Sequence, residues 1–152
     1  TRDVAISQLY RAYQVTRDKD YLTTGLEFSI CTADDQNLCL DLWDTQGESV
    51  FLSDRSGQTD QSFYLSCNNG FWRLRGCRKN YTVCSSTKDV YQDFAGYSQK
   101  LTFEYNDDGT VCIKNIDGLY LDLIDGAVKN SHLKFAPKSD SSTQKFIIKY
   151  NE

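Results

Sequence analysis

Asn37-Leu38-Cys39-Leu40-Asp41-Leu42 alternates apolar and polar side chains, and the same pattern returns as Gly118-Leu119-Tyr120-Leu121-Asp122-Leu123. A weaker copy lies between them, Asn80-Tyr81-Thr82-Val83-Cys84-Ser85. Each copy follows a run that begins after glycine: Gly25-Leu26-Glu27-Phe28-Ser29-Ile30, Gly70-Phe71-Trp72-Arg73-Leu74-Arg75 and Gly109-Thr110-Val111-Cys112-Ile113-Lys114. Each is followed by a Gln two residues before an apolar side chain, in Gln61-Ser62-Phe63, Gln99-Lys100-Leu101 and Gln144-Lys145-Phe146. Three features kept in one order three times are an internal repeat, and a repeat decides the fold.

Short alternating runs separated by Gly, Asn, Asp and Ser clusters read as β-strands. One unit holds about four of them and cannot bury its apolar face alone. Three units around a pseudo-threefold axis close a barrel and remove most free edges. The fold class is therefore all-β, a β-trefoil domain over 25–152 with repeats at about 25–69, 70–108 and 109–152. Phe63, Leu101 and Phe146 should occupy equivalent core positions, as should Leu40, Val83 and Leu121. Residues 1–24 form an N-terminal extension. Val4, Ile6, Leu9, Tyr10 and Tyr13 are spaced there as one face of a short helix, which covers an end of the main domain or meets a partner.

The chain has 152 residues, 39% hydrophobic and 25% charged, which suits one globular domain. A net charge of −4 without long single-sign runs excludes a general phosphate-backbone binder, so nucleic acid is not an expected partner. No apolar stretch is long enough for a membrane span. The sequence begins at Thr1 and contains no Met, which reads as a processed or trimmed N-terminus.

Six cysteines, Cys31, Cys39, Cys67, Cys77, Cys84 and Cys112, suit a disulfide framework. Zinc is not expected: there is no C-x-x-C pair, and the one histidine, His132, has no ligand at metal spacing. Asn80-Tyr81-Thr82 is an N-glycosylation sequon, with Asn80 as acceptor. Together these point to a secreted or extracellular protein. Symmetry of the repeats pairs Cys31 with Cys39 and Cys77 with Cys84, each across a short inter-strand loop, and leaves Cys67 with Cys112.

No enzyme is expected. His132 reads as a surface strand start, which leaves no base for a nucleophilic triad. Asp34-Asp35 and Asp107-Asp108 sit in turn-like loops and read as solvated, and no phosphate-cradling glycine motif is present. No cofactor is implied.

Cys39-Leu40-Asp41 and the three Gln-x-Phe or Gln-x-Leu sites resemble the ricin-B-type (R-type) lectins, whose repeats carry a Cys-Leu-Asp-like strand and close in Gln-x-Trp. That resemblance, which covers Gly25 to the end, implies shallow sugar pockets, one for each repeat. An Asp accepts from two sugar hydroxyls, a ring stacks on the sugar's C–H face, and a polar residue beside the Gln completes the set. Carried over, it marks Asp41, Asp44 and Asp60 in repeat one, with Trp43 as an alternative stacking ring, and Asp122 and Asp125 in repeat three. Cys84 replaces the Asp of repeat two, so that pocket should be lost. Counting back from the Gln puts the ring position near Ser53 (Phe51 close by), at Tyr91, and near Ala136 with Phe135 adjacent. The three Gln residues should hold the loops together. The implied function is a carbohydrate-binding domain with a glycan or glycoprotein partner. The alternative is a trefoil acting on a protein receptor or protease.

Overall fold

Phe28 and Ile30 on one strand, Leu38 and Leu40 on the next, and Val50 and Leu52 beyond them all point inward, as alternation demands. The computed structural model describes residues 27–42, 50–68, 71–77, 82–85, 90–93 and 101–150. The expected helix within 1–24, the sequon Asn80, Trp43, Asp44 and Gln99 lie outside them.

Among the described residues twelve strands follow one another. Repeat one supplies β1 (Phe28–Thr32), β2 (Leu38–Asp41), β3 (Phe51–Asp54) and β4 (Phe63–Asn68). Repeat two supplies β5 (Phe71–Gly76), β6 (Thr82–Ser85), β7 (Val90–Asp93) and β8 (Leu101–Tyr105). Repeat three supplies β9 (Val111–Asn115), β10 (Tyr120–Leu123), β11 (Leu133–Ala136) and β12 (Phe146–Tyr150).

The pairings close a ring. β1 pairs with β4, β4 with β5, β5 with β8, β8 with β9, β9 with β12, and β12 with β1. From this six-stranded barrel hang three hairpins, β2–β3, β6–β7 and β10–β11. A barrel with three hairpins is the β-trefoil that the repeats imply. The pseudo-threefold axis shows in the register, where Phe28 faces Phe63, Trp72 faces Leu101, and Val111 faces Phe146. Phe63, Leu101 and Phe146 are buried, as are Leu40 and Leu121.

Side-chain oxygens fix the turns. Asn115 Oδ1 accepts from the amides of Asp117 and Leu119, and Gly118 at φ +80° supplies the left-handed step that a Cβ would resist. Asp34 and Asp108 are exposed, as expected of solvated loop acids, and each also makes surface contacts. Asp108 accepts from the Thr110 amide and pairs with Lys145 at 3.3 Å, and Asp34 accepts from Ser142 at 2.7 Å. The Thr110 hydrogen bonds hold the Asp108 carboxyl down at about 2.

Cys31 on β1 faces Cys39 on β2 in register, both fully buried, with Sγ atoms 2.8 Å apart. Directly opposed cross-strand positions lie within bridging distance without backbone movement. The shared sulfur hydrogen bond holds Cys31 down and pushes Cys39 up. The expected result, after refolding with glutathione disulfide, is recovery of one Cys31–Cys39 linked species from a non-reducing peptide map. Recovery of both as alkylated thiols would count against the pairing. Cys67 and Cys84, the expected partners of Cys112 and Cys77, have side chains outside the described residues.

Candidate functional site

Asp41, 6% exposed as a residue, ends β2. A short 3-10 turn, Thr59–Gln61, comes up beside it. Gln61, 1% exposed, donates from Nε2 to Asp41 Oδ2 at 3.1 Å and to the Asp54 carbonyl at 2.7 Å, while its Oε1 accepts from the Ser56 amide at 2.9 Å. The Leu42 amide donates to the Asp60 carbonyl at 3.0 Å, tying the end of β2 to the same turn. Burial pushes the Asp41 carboxyl up to about 6; Gln61 opposes the shift, and the neighbouring Asp60 carboxylate adds to it.

Repeat three builds the same device. Gln144, in the 3-10 turn Ser142–Gln144, donates to Asp122 Oδ2 at 3.1 Å and to the Pro137 carbonyl at 2.9 Å, and accepts from the Ser139 amide at 3.0 Å. Ser141 caps this turn by accepting from the Thr143 amide. Thr143 stands where repeat one has Asp60. Asp122 is half-exposed. The two glutamines therefore hold the loops together, as expected, and also orient the carboxylates.

The hairpin registers locate the third element. Residues directly opposite across an antiparallel pair share a face. Phe51 is opposite Asp41, Tyr91 is opposite Cys84, and Lys134 is opposite Asp122. The ring position in repeat one is thus Phe51, half-buried, and Ser53 faces Cys39 instead. In repeat three the position holds exposed Lys134. Ala136 faces Tyr120, and Phe135 points to the other side and packs on the core. Counting back from Gln lands two residues beyond both, because the segment between the opposed residue and Gln is two residues longer in the outer repeats than in repeat two. Walking across each hairpin from its Asp would have found them.

Asp41, Phe51, Asp60 and Gln61 are brought together in repeat one. Asp125 is not part of the equivalent set in repeat three. It lies exposed in the turn beyond β10, before Gly126 at φ +79°, with its amide donating to Ser131 Oγ at 3.3 Å. His132 is exposed and bridges by its backbone to Phe51, as a surface strand start should. Among the described residues no group of three His, Cys, Asp or Glu could hold a metal ion, and no helix is long and apolar enough to cross a membrane. A fixed carboxylate with spare acceptor sites beside an aromatic ring suits a ligand with adjacent hydroxyls and an apolar face.

No family profile matches the chain, and no curated protein sequence does. Solved structures do. A mosquitocidal holotoxin superposes with a TM-score of 0.78 at 17% identity over 87% of this chain, which spans only 18% of the toxin's. The ricin B-like lectin of Macrolepiota procera, solved with lactose, gives a TM-score of 0.73 at 11% identity, covering 84% of this chain and 97% of the lectin. The C-half of an earthworm R-type lectin, solved with GalNAc, gives 0.66 at 17% identity, covering 83% and 99%. In fold, this chain is a β-trefoil similar to those of R-type lectins.

Proposed function

We propose that the chain is a non-enzymatic, exported carbohydrate-binding domain with its better-formed sugar site on the β2–β3 hairpin of repeat one. One observation carries this reading: Phe51 stands opposite Asp41 on one face, with Gln61 holding the carboxylate from the side. Asp41 accepts from two adjacent sugar hydroxyls, and Phe51 packs on the C–H face of the ring and excludes water. Asp60, beside the Gln, offers a further acceptor. The lactose and GalNAc complexes of the two lectins above support the reading by analogy of fold. Repeat two has the ring position without the Asp and takes no sugar. The even set of six cysteines, with Cys31 opposed to Cys39, is what supports export.

Calorimetric titration with lactose and N-acetylgalactosamine tests this. Phe51→Ala is expected to weaken binding about tenfold, from the loss of roughly 1–1.5 kcal/mol of ring contact, with little change in melting temperature. Absence of binding by the native protein to any sugar of a glycan array would overturn it.

A further inference from the structure

Repeats one and three share the same carboxylate and glutamine but differ in charge around them. At the ring position repeat one has Phe51 and repeat three has Lys134. Beside the Gln, repeat one has Asp60 and repeat three has the neutral Thr143. Tyr120 and Asp122 share a face of β10, and Ala136 and Lys134 face them from β11. Over the Tyr120 ring, 5.6 Å from its centre, lies the ammonium of Lys138. This face therefore presents a carboxylate flanked by two cations.

Among the described residues neither cation is paired with an acid. The Lys134 side chain is exposed and makes no ion pair or hydrogen bond with a described residue. Glu104, a partly exposed acid that contacts Tyr120, is already paired. It accepts from the Tyr120 hydroxyl at 2.6 Å and pairs with Lys114 at 3.4 Å. Asp122 takes Gln144 on Oδ2, which leaves acceptor capacity for hydroxyls.

Resting on the sugar-binding reading above, we infer that the two sites differ in ligand class, with repeat three taking saccharides that carry an anionic group, a carboxylate or a sulfate. Asp122 accepts from ring hydroxyls while Lys134 and Lys138 hold the anion. Repeat one, with Asp60 beside Asp41 and an aromatic ring opposite, takes neutral sugars and repels acidic ones. The chain then joins two different glycan determinants rather than two copies of one.

The test is amide-resolved NMR titration of the intact chain with lactose, sialylated lactose and sulfated lactose, with inorganic sulfate as a control. Either charged lactose should shift amides of β10, β11 and 137–139, while neutral lactose shifts β2 and β3. Lys134→Ala should weaken the charged ligand about five- to tenfold, Lys134→Arg should largely preserve it, and lactose binding should not change. Raising salt should weaken the charged arm alone. A response to only one of the two acidic sugars supports the inference and identifies the anion. Equal affinity of charged and neutral lactose at repeat three, indifference to Lys134→Ala, or the same shifts from sulfate alone would overturn it. Lactose binding at repeat one without acidic binding at repeat three defeats this inference only. No binding of any sugar at either site defeats the sugar-binding reading itself.

Discussion

Asp41→Asn is expected to abolish sugar binding at repeat one and at the same time to stabilise the protein by about 2 kcal/mol at pH 8. Both effects come from one carboxylate. Asp41 is 6% exposed, and burial, reinforced by Asp60, raises its carboxyl from 3.8 to about 6. The native state therefore holds a proton that the unfolded chain has released between those two values. Stability from this group is fully present below about pH 4 and is lost as pH rises through 6. At neutral pH and above, the native protein carries a charge that its surroundings disfavour. An amide of the same shape removes that cost, still accepts from Gln61, and supplies a donor toward Asp60. It cannot accept from two hydroxyls at once, so the ligand loses its anchor. For the same reason, sugar binding at repeat one should decline as pH falls through about 6, because protonation converts an acceptor into a donor. Urea unfolding of native protein and Asp41→Asn at pH 4 and pH 8, with calorimetry at the same values, separates the effects. The stability difference should be small at pH 4 and near its maximum at pH 8. A variant less stable than the native protein at pH 8 would show that the carboxylate is held for structure.

The sequence was most informative where three residues had to agree. Phe63, Leu101 and Phe146 were legible as core because each follows a Gln at the same spacing, and each closes the barrel against a first strand. Asp41 and Asp122 were legible because the alternation of the second strand fixes which residues face together. The ring position was not, because it belongs to the strand across a hairpin whose length differs between repeats. Register is set by the turn, and an error of two residues keeps the face while moving the side chain along it. Phe51 was thus only near the expected place, and Lys134 was missed. The surface contacts of Asp34 and Asp108 were not legible, for another reason. Their partners Ser142 and Lys145 are remote in the chain, so no local pattern announces them.

The closing motif carries two separable roles, and its apolar residue predicts the largest loss of stability. Phe63→Ala is expected to cost about 3–5 kcal/mol, a large part of the stability of a domain this size. The Phe63 ring is fully buried and faces Phe28, also fully buried, across the β1–β4 pair that helps to close the barrel. Truncation leaves a void between two rigid strands, where neighbours on the other two repeats cannot collapse inward without breaking the threefold packing. The fold itself supplies the control. Repeat two has Leu101 at the equivalent position, 2% exposed. A branched aliphatic side chain is thus compatible with this layer, and Phe63→Leu should cost only about 1–1.5 kcal/mol. Denaturant midpoints with unchanged slopes would measure both differences. Gln61→Ala, two residues away, should behave otherwise. It strips Asp41 of a hydrogen bond and leaves the Asp54 carbonyl and Ser56 amide without that partner, costing about 2–3 kcal/mol. It also frees the carboxylate from its position, so sugar affinity falls even at temperatures where the protein is fully folded. Phe63→Ala, assayed under folding conditions, should bind normally. If both variants lost affinity in proportion to stability, the Gln would be loop scaffolding alone and Asp41 would not depend on it.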